Sequence, residues 1–462
     1  MSASKSTLFQ LSLEECRQRL TSPQPPVDVV RPCTPGDGVE QWSLSKLKGL
    51  AEAWVHSPAP ADDCGLWIPA SGAATRMFSF LQSDAEGQSR LWQATDRLAF
   101  GAVWRNAVEQ RFGAEATPSQ AAHVLLEMFD GGSLPKGLVP FHRGNSEDDA
   151  ETPFQAHVRL WNEVMPEGSS VWFTVQESRR DEIARHLASC PSAAPFHIHL
   201  PVQDPLTDLP MLDAEGEWMK IDHDEVAKRP GGHGSLLPLL EEVTTSFLVI
   251  RNIDNAPSPV CFAERKTWTQ AMLAEAKAWS NERKEWLDAV KGDTLDAEEL
   301  LAWLTRSGAG LGEGVTSEQR TVMEDALSRP MRLVGVVRNE GQPGGGPFWT
   351  RVAEGPDRGR VKPQIVEAVE FSERNADILA SATHFNPVDM VCVLNPGEQL
   401  GRFVDSARHL QSTKSFRGED VRVLEHPGLW NGGMSGWLTR FVEIPGSCFQ
   451  PVKTALDLIG RV

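Results

Sequence analysis

Short apolar, β-branched runs separated by helix-length stretches constrain this chain more than any other feature. They recur at 66–68, 171–175, 246–251, 332–337, 364–371, 390–394 and 438–444. Most lack strict polar–apolar alternation, so they read as strands buried on both faces. Interleaved with helices, they imply an α/β fold with a mostly parallel central sheet covered on both sides. In such sheets ligands gather at the carboxyl ends of the strands. Two stretches, 86–112 and 263–305, carry helical periodicity without strand signals and are expected as helical insertions. The proline-crowded segment 21–38 follows an N-terminal helix. The expected organisation is a helical extension over 1–60 and one large domain over 61–462.

Charge and composition exclude several classes of function. With 45 Lys+Arg against 63 Asp+Glu the formal charge is -18, too acidic for a general binder of nucleic acid or anionic membrane. No apolar stretch reaches the roughly 18 residues of a membrane helix. The first twenty residues carry charges where a secretory signal would be apolar, so the expected location is cytoplasmic. Seven cysteines without a CxxC pair suggest neither a zinc cage nor a disulfide framework. Tyrosine is absent, which removes tyrosine chemistry.

Four segments carry candidate chemistry. After the 66–68 strand comes Pro69-Ala70-Ser71-Gly72-Ala73-Ala74-Thr75-Arg76. Small residues there let backbone amides approach an anion, and an arginine sits in the same turn. Lys136 stands between Pro135 and Pro140 in an extended segment, where an ammonium can serve as a point charge for phosphate. Gly231-Gly232-His233-Gly234 suits close packing of backbone against a flat ring or a ribose. The 246–251 strand ends in Asn252-Ile253-Asp254-Asn255, a carboxylate between carboxamides at a strand tip. Such a group can hold Mg²⁺ with waters and phosphates, or cap the next helix. Of lower rank, His197 and His199 share a strand face without a third metal ligand at convincing spacing. Asp148, Asp149 and Glu151 read as a solvated acidic loop.

In this order the segments resemble the motifs of uridylyltransferases that make UDP-sugars, the UDP-glucose and UDP-N-acetylhexosamine pyrophosphorylases. Ser71–Met77 is similar to the family's GGxGTRL loop, Pro135-Lys136-Gly137 to its lysine motif, Pro230–Gly234 to its P-x-G-[HN]-G loop and Asn252–Asn255 to its N-x-D-N. Downstream, Val366–Glu373 resembles VVEYSE, Thr383-His384-Phe385-Asn386 resembles NHFF, and Pro451-Val452-Lys453-Thr454 begins a PVKTxxDLL-like segment. The chain as a whole, with its GQPGGGPFW and THFNPVD strings, is most similar to a bacterial family defined only as a domain of unknown function.

The resemblance implies a GT-A-like nucleotide-diphospho-sugar transferase fold. The implied activity joins a sugar 1-phosphate to a nucleoside triphosphate, UTP in the family, and releases pyrophosphate. It casts Arg76, Lys136 and Lys453 as catalytic and Asp254 as the Mg²⁺ ligand. Substrate contacts would come from Gly72, Thr75, Gly231, Gly232, His233, Gly234, Glu370, His384 and Asn386. Two departures motivate an alternative, a nucleotide-sugar-binding or regulatory protein without transfer activity. Ala74 replaces a family glycine, and Arg76 and Lys136 stand sixty positions apart. Lys453 precedes an apolar run expected to start a helix, where a cation is unfavourable until an anion arrives.

Overall fold

The computed structural model describes residues 9–143, 150–221, 225–292, 295–311, 319–341, 344–354 and 357–460. Asp148 and Asp149, and Gln342 and Pro343 of the glycine-rich string, lie outside the described residues. The chain divides into two compact units. The first comprises 1–44, 203–248 and 275–444; the second comprises 45–202, 249–274 and 445–462.

In the first unit, strands run in the order Thr34–Pro35, Gly38–Glu40, Leu438–Glu443, Met331–Arg338, His384–Val393. The first four are mutually parallel, and His384–Val393 pairs antiparallel with Met331–Arg338. Met331–Arg338 is buried along all but its last residue, as the apolar run predicts. Two antiparallel sheets accompany it. One joins Asp28–Pro32, Gly346–Arg351 and Val361–Val366; the other joins Leu410–Phe416, Glu419–Glu425, Leu209–Leu212 and Lys228–Arg229.

The second unit is built on Cys64–Pro69, Ser170–Thr174 and His197–His199, paired in parallel. Phe247–Arg251, whose last three residues belong to this unit, stands next to Cys64–Pro69. The main strand series of the two units are mostly parallel, as expected of the α/β class, and the two smaller sheets are antiparallel.

The two stretches expected to be helical are helical, each divided in two, while two other expectations need correction. The 86–112 stretch is two helices, Ala85–Gln93 and Gly101–Phe112, because the Thr95 hydroxyl turns back to the Trp92 carbonyl and breaks the first. The 263–305 stretch divides into Phe262–Lys291 and Ala297–Arg306, the second started by the Asp296 side chain accepting from Glu298 and Glu299 amides. The run 364–371 is a strand only to Val366. Glu367 and Glu370 then exchange capping bonds around a short 3₁₀ turn. Segment 1–60 holds helices Leu13–Thr21 and Leu44–His56 with three short strands between them, two of which lie in the proline-rich stretch. These strands are too short and too polar to show as apolar runs.

Candidate functional site

The candidate site belongs to the second unit and starts at the end of Cys64–Pro69. Ala70 N–H donates to the Thr174 carbonyl at 3.1 Å, fixing the turn that follows. Gly72 is exposed, and a Cβ added there would meet nothing within 4 Å. Ala73 forms an antiparallel bridge with Pro135, Ala74 N–H donates to Leu134 O at 2.9 Å, and Lys136 N–H donates to Gly72 O at 3.1 Å. This short ladder closes the sixty-residue gap. The intervening helices Ala85–Gln93, Gly101–Phe112 and Pro118–Met128 fold away into an apolar cluster that also takes Ala74, Met77 and Phe78. The Ala74 methyl is fully buried in that cluster, so it does not crowd the exposed side of the turn. Thr75 donates to Gly132 O at 3.3 Å. Arg76 is exposed, and its side chain has no partner among the described residues.

Asp254 is positioned by its neighbours. The Asn255 side chain donates to Cys448 O at 3.1 Å and accepts from Gln450 N–H at 2.9 Å, while Arg265 braces the Asn255 carbonyl at 2.8 Å. This staple sets the register in which Val452 N–H donates to Asp254 O at 2.9 Å. Two ammonium groups then converge on one carboxylate oxygen. Lys453 Nζ donates to Asp254 Oδ2 at 2.8 Å; Lys136 Nζ lies 3.7 Å from the same oxygen and donates to Val452 O at 3.0 Å. Burial lowers the Lys136 pKa from its usual value, and the Lys453 charge adds to that shift while Asp254 opposes it. The side chains of Asp254 and Lys136 are 13% and 14% exposed, that of Lys453 63%, so the cluster has a buried base and an open side.

The staple residues Asn255 and Gln450 were not singled out from the sequence as positioning groups. Their partners lie some 195 positions away, and no local pattern announces such pairs. Lys453 also departs from expectation. Its own N–H and that of Thr454 donate to Asp457 Oδ2 at 2.8 and 2.7 Å, and its ammonium is held by Asp254. The helical start therefore needs no incoming anion to satisfy it; the following turn is a 3₁₀ segment, Ala455–Gly460.

The donor set at Asp254 suits a cation that brings other ligands with it. No group of three or more His, Cys, Asp or Glu side chains among the described residues is placed to hold a metal. Asp254 Oδ1 and the Asn252 side chain have no partner among the described residues, which matches the one-carboxylate manner in which Mg²⁺ accompanies phosphates. Asn255 is engaged in the staple. His197 and His199 alternate along their strand as expected, and His199 stacks on Trp172 at 4.8 Å. Glu151 is not a free surface acid: its carboxylate accepts from Arg159 Nε and Nη2 at 2.6 and 3.0 Å.

The remaining expected residues lie in the first unit. Gly231 and Gly234 pack against their own chain; a Cβ on Gly234 would come within 2.2 Å of Pro427 O, and Gly232 has φ +77°. The flat ring beside the loop is Trp430, on which His233 stacks at 4.4 Å. His233 Nδ1 accepts from Leu429 N–H at 3.0 Å and Nε2 is 3.3 Å from Glu367. The assignment of Glu370 to sugar hydroxyls meets an obstacle. Its carboxylate is 2% exposed and accepts from Arg408 at 2.7 and 2.6 Å and from Asn431 at 3.0 Å. His384 is also engaged, with Glu443 at 3.0 Å and Thr383 at 2.8 Å. Asn386 Oδ1 accepts from Val388 N–H at 3.1 Å and supports the positive φ of that β-branched residue, +54°.

Among solved structures, the chain is similar to the UDP-N-acetylglucosamine pyrophosphorylase of Trypanosoma brucei. That match has 11% identity and TM-score 0.46, covering 92% of this chain and 69% of that one. It is also similar to a mutant form of UDP-glucose pyrophosphorylase from Leishmania major, at 11% identity and TM-score 0.45, covering 86% of this chain and 64% of that one. No curated protein matches the sequence. The family model described as Domain of unknown function (DUF4301) matches residues 4–461, and the chain belongs to that family.

Proposed function

We propose that the second unit carries out nucleotidyl transfer, joining a sugar 1-phosphate to a nucleoside triphosphate and releasing pyrophosphate. The observation that carries the reading is the convergence of Lys136 and Lys453 on Asp254, with Lys136 hydrogen-bonded to the Gly72 turn. The ordered sequence motifs add support. In this reaction an oxygen of the sugar phosphate attacks the α-phosphorus, the bond from that phosphorus to the β-phosphate bridging oxygen breaks, and pyrophosphate takes the bonding pair.

Two polyanions must meet, so positioning and charge neutralisation are the catalytic needs. Arg76 and Lys136 would take the triphosphate and the departing pyrophosphate. Lys453, on the open side, would hold the sugar phosphate against the α-phosphorus. Gly72 leaves space for a phosphate beside backbone amides. Mg²⁺, when bound, would neutralise phosphate charge, with Asp254 and Asn252 as its protein ligands. The alternative of binding without transfer loses its two supports, since Ala74 packs into the core and the wide spacing is closed by the Ala73–Pro135 bridge.

The test is pyrophosphate release from a grid of the four common ribonucleoside triphosphates against a panel of sugar 1-phosphates, with Mg²⁺. Release with at least one pair is expected, UTP leading by the motif resemblance. No release from any pair, with binding of a nucleotide sugar intact, would replace transfer by binding alone.

A further inference from the structure

We infer that Lys453 is a stand-in for the divalent cation at Asp254, so that metal binds there only once a phosphate draws the ammonium away. The inference rests on the reading of Asp254 as the cation ligand and adds an order of events to it. Asp254 is already compensated twice, by Lys453 at 2.8 Å and Lys136 at 3.7 Å on the same oxygen. Two ammonium groups already compete for Asp254 Oδ2, and nearby Asp457 balances the second of them, so a dication arriving alone must displace an ammonium to reach that oxygen.

The two lysines are not equally free to leave. Lys136 is largely buried and also tied to the Val452 carbonyl, whereas the Lys453 side chain is 63% exposed and its amine makes no other bond among the described residues. Lys453 can therefore swing to an incoming phosphate while its backbone stays fixed through Asp457. The exchange replaces a lysine–carboxylate pair by a lysine–phosphate pair and a metal–carboxylate bond. It makes a bare metal a poor ligand of the protein without substrate and couples metal entry to substrate.

Binding of Mn²⁺ alone, followed by electron paramagnetic resonance on the full chain without phosphate, tests this. Lys453→Met is expected to bind Mn²⁺ about tenfold or more tightly than wild type, and Asp254→Asn/Lys453→Met to lose the gain. The exposure of Lys453 makes Met tolerable, and an unchanged thermal melt verifies the fold. Equal affinity of wild type and Lys453→Met, or tight Mn²⁺ binding by wild type that Asp254→Asn removes, overturns the inference. The pyrophosphate-release grid separates the two claims: turnover without the gain sinks the stand-in role alone, and the gain without turnover sinks nucleotidyl transfer alone.

Discussion

Asp254 and Lys453 differ in what their removal should do. Asp254→Asn preserves shape and the carbonyl that Val452 uses, and it removes the charge that holds both lysines. The variant should remain folded, with unchanged circular dichroism, while Mg²⁺-dependent turnover is abolished. An unaltered rate with the same metal dependence would show that another carboxylate is the ligand. Lys453→Ala should lower turnover by about 30- to 1000-fold, the loss of a charge-assisted contact of about 2–4 kcal/mol in the transition state. Its triphosphate affinity should stay nearly unchanged, since Lys136 and Arg76 remain. Equal losses in rate and UTP affinity would move Lys453 to the nucleotide side.

At the scale of elements, the legibility of the sequence followed the physics of burial. Strands such as Met331–Arg338 and Phe247–Arg251 are apolar because both faces are covered, and they could be read from the runs themselves. Strands of the first unit's antiparallel sheets, such as Leu410–Phe416 with its alternating half-exposed residues, have no such signature. The site shows the same division. Residue types at Arg76, Lys136, Asp254 and Lys453 were legible in short motifs. The Ala73–Pro135 bridge and the Asn255–Gln450 staple were not, because long-range backbone pairing leaves no local trace. The resemblance of Val366–Glu373 to VVEYSE casts Glu370 as a substrate contact, and its bond to Arg408, 38 positions away, leaves no local trace.

One buried element pair in the first unit invites a stability test. Arg329, Lys362 and Arg360 share the Asp357 carboxylate at 2.5, 2.5 and 2.6 Å, with Asp357 1% exposed. Burial alone would raise the Asp357 pKa, but Lys362 and Arg329 outweigh it and hold the group at about 2. A carboxyl depressed below its unfolded value of about 3.9 adds stability above that value, and the contribution fades as pH falls through about 4 toward 2. Asp357→Asn would leave the buried Lys362 unpaired, while Arg329 keeps Asp325, and should cost about 3–5 kcal/mol at neutral pH. Urea unfolding between pH 7 and pH 2 checks both parts. The gap between wild type and variant should narrow toward the acid end, and a constant gap would assign the stability to packing instead.

For the whole molecule, the site's lysines and the chain's total charge act on an approaching anion in opposite senses. The protein carries -18 and its candidate substrates are polyanions, yet the Asp254 cluster brings two lysines together beside Asp254 and Asp457. At about 0.01 M salt the screening length is roughly 30 Å, so an approaching triphosphate feels the summed negative field before it reaches the lysines. Near 0.1 M the length falls to about 10 Å, and the long-range repulsion is screened. Contacts to Lys136 and Lys453 form within a few ångströms at a half-buried cluster and are screened less. The prediction is that kcat/KM for the nucleotide rises between about 10 and 100 mM salt, through its association rate, and falls only at higher salt. Stopped-flow binding of a fluorescent triphosphate across that range measures the association rate directly. A steady decline from the lowest salt upward would show that the local cations, and not the total charge, govern the approach.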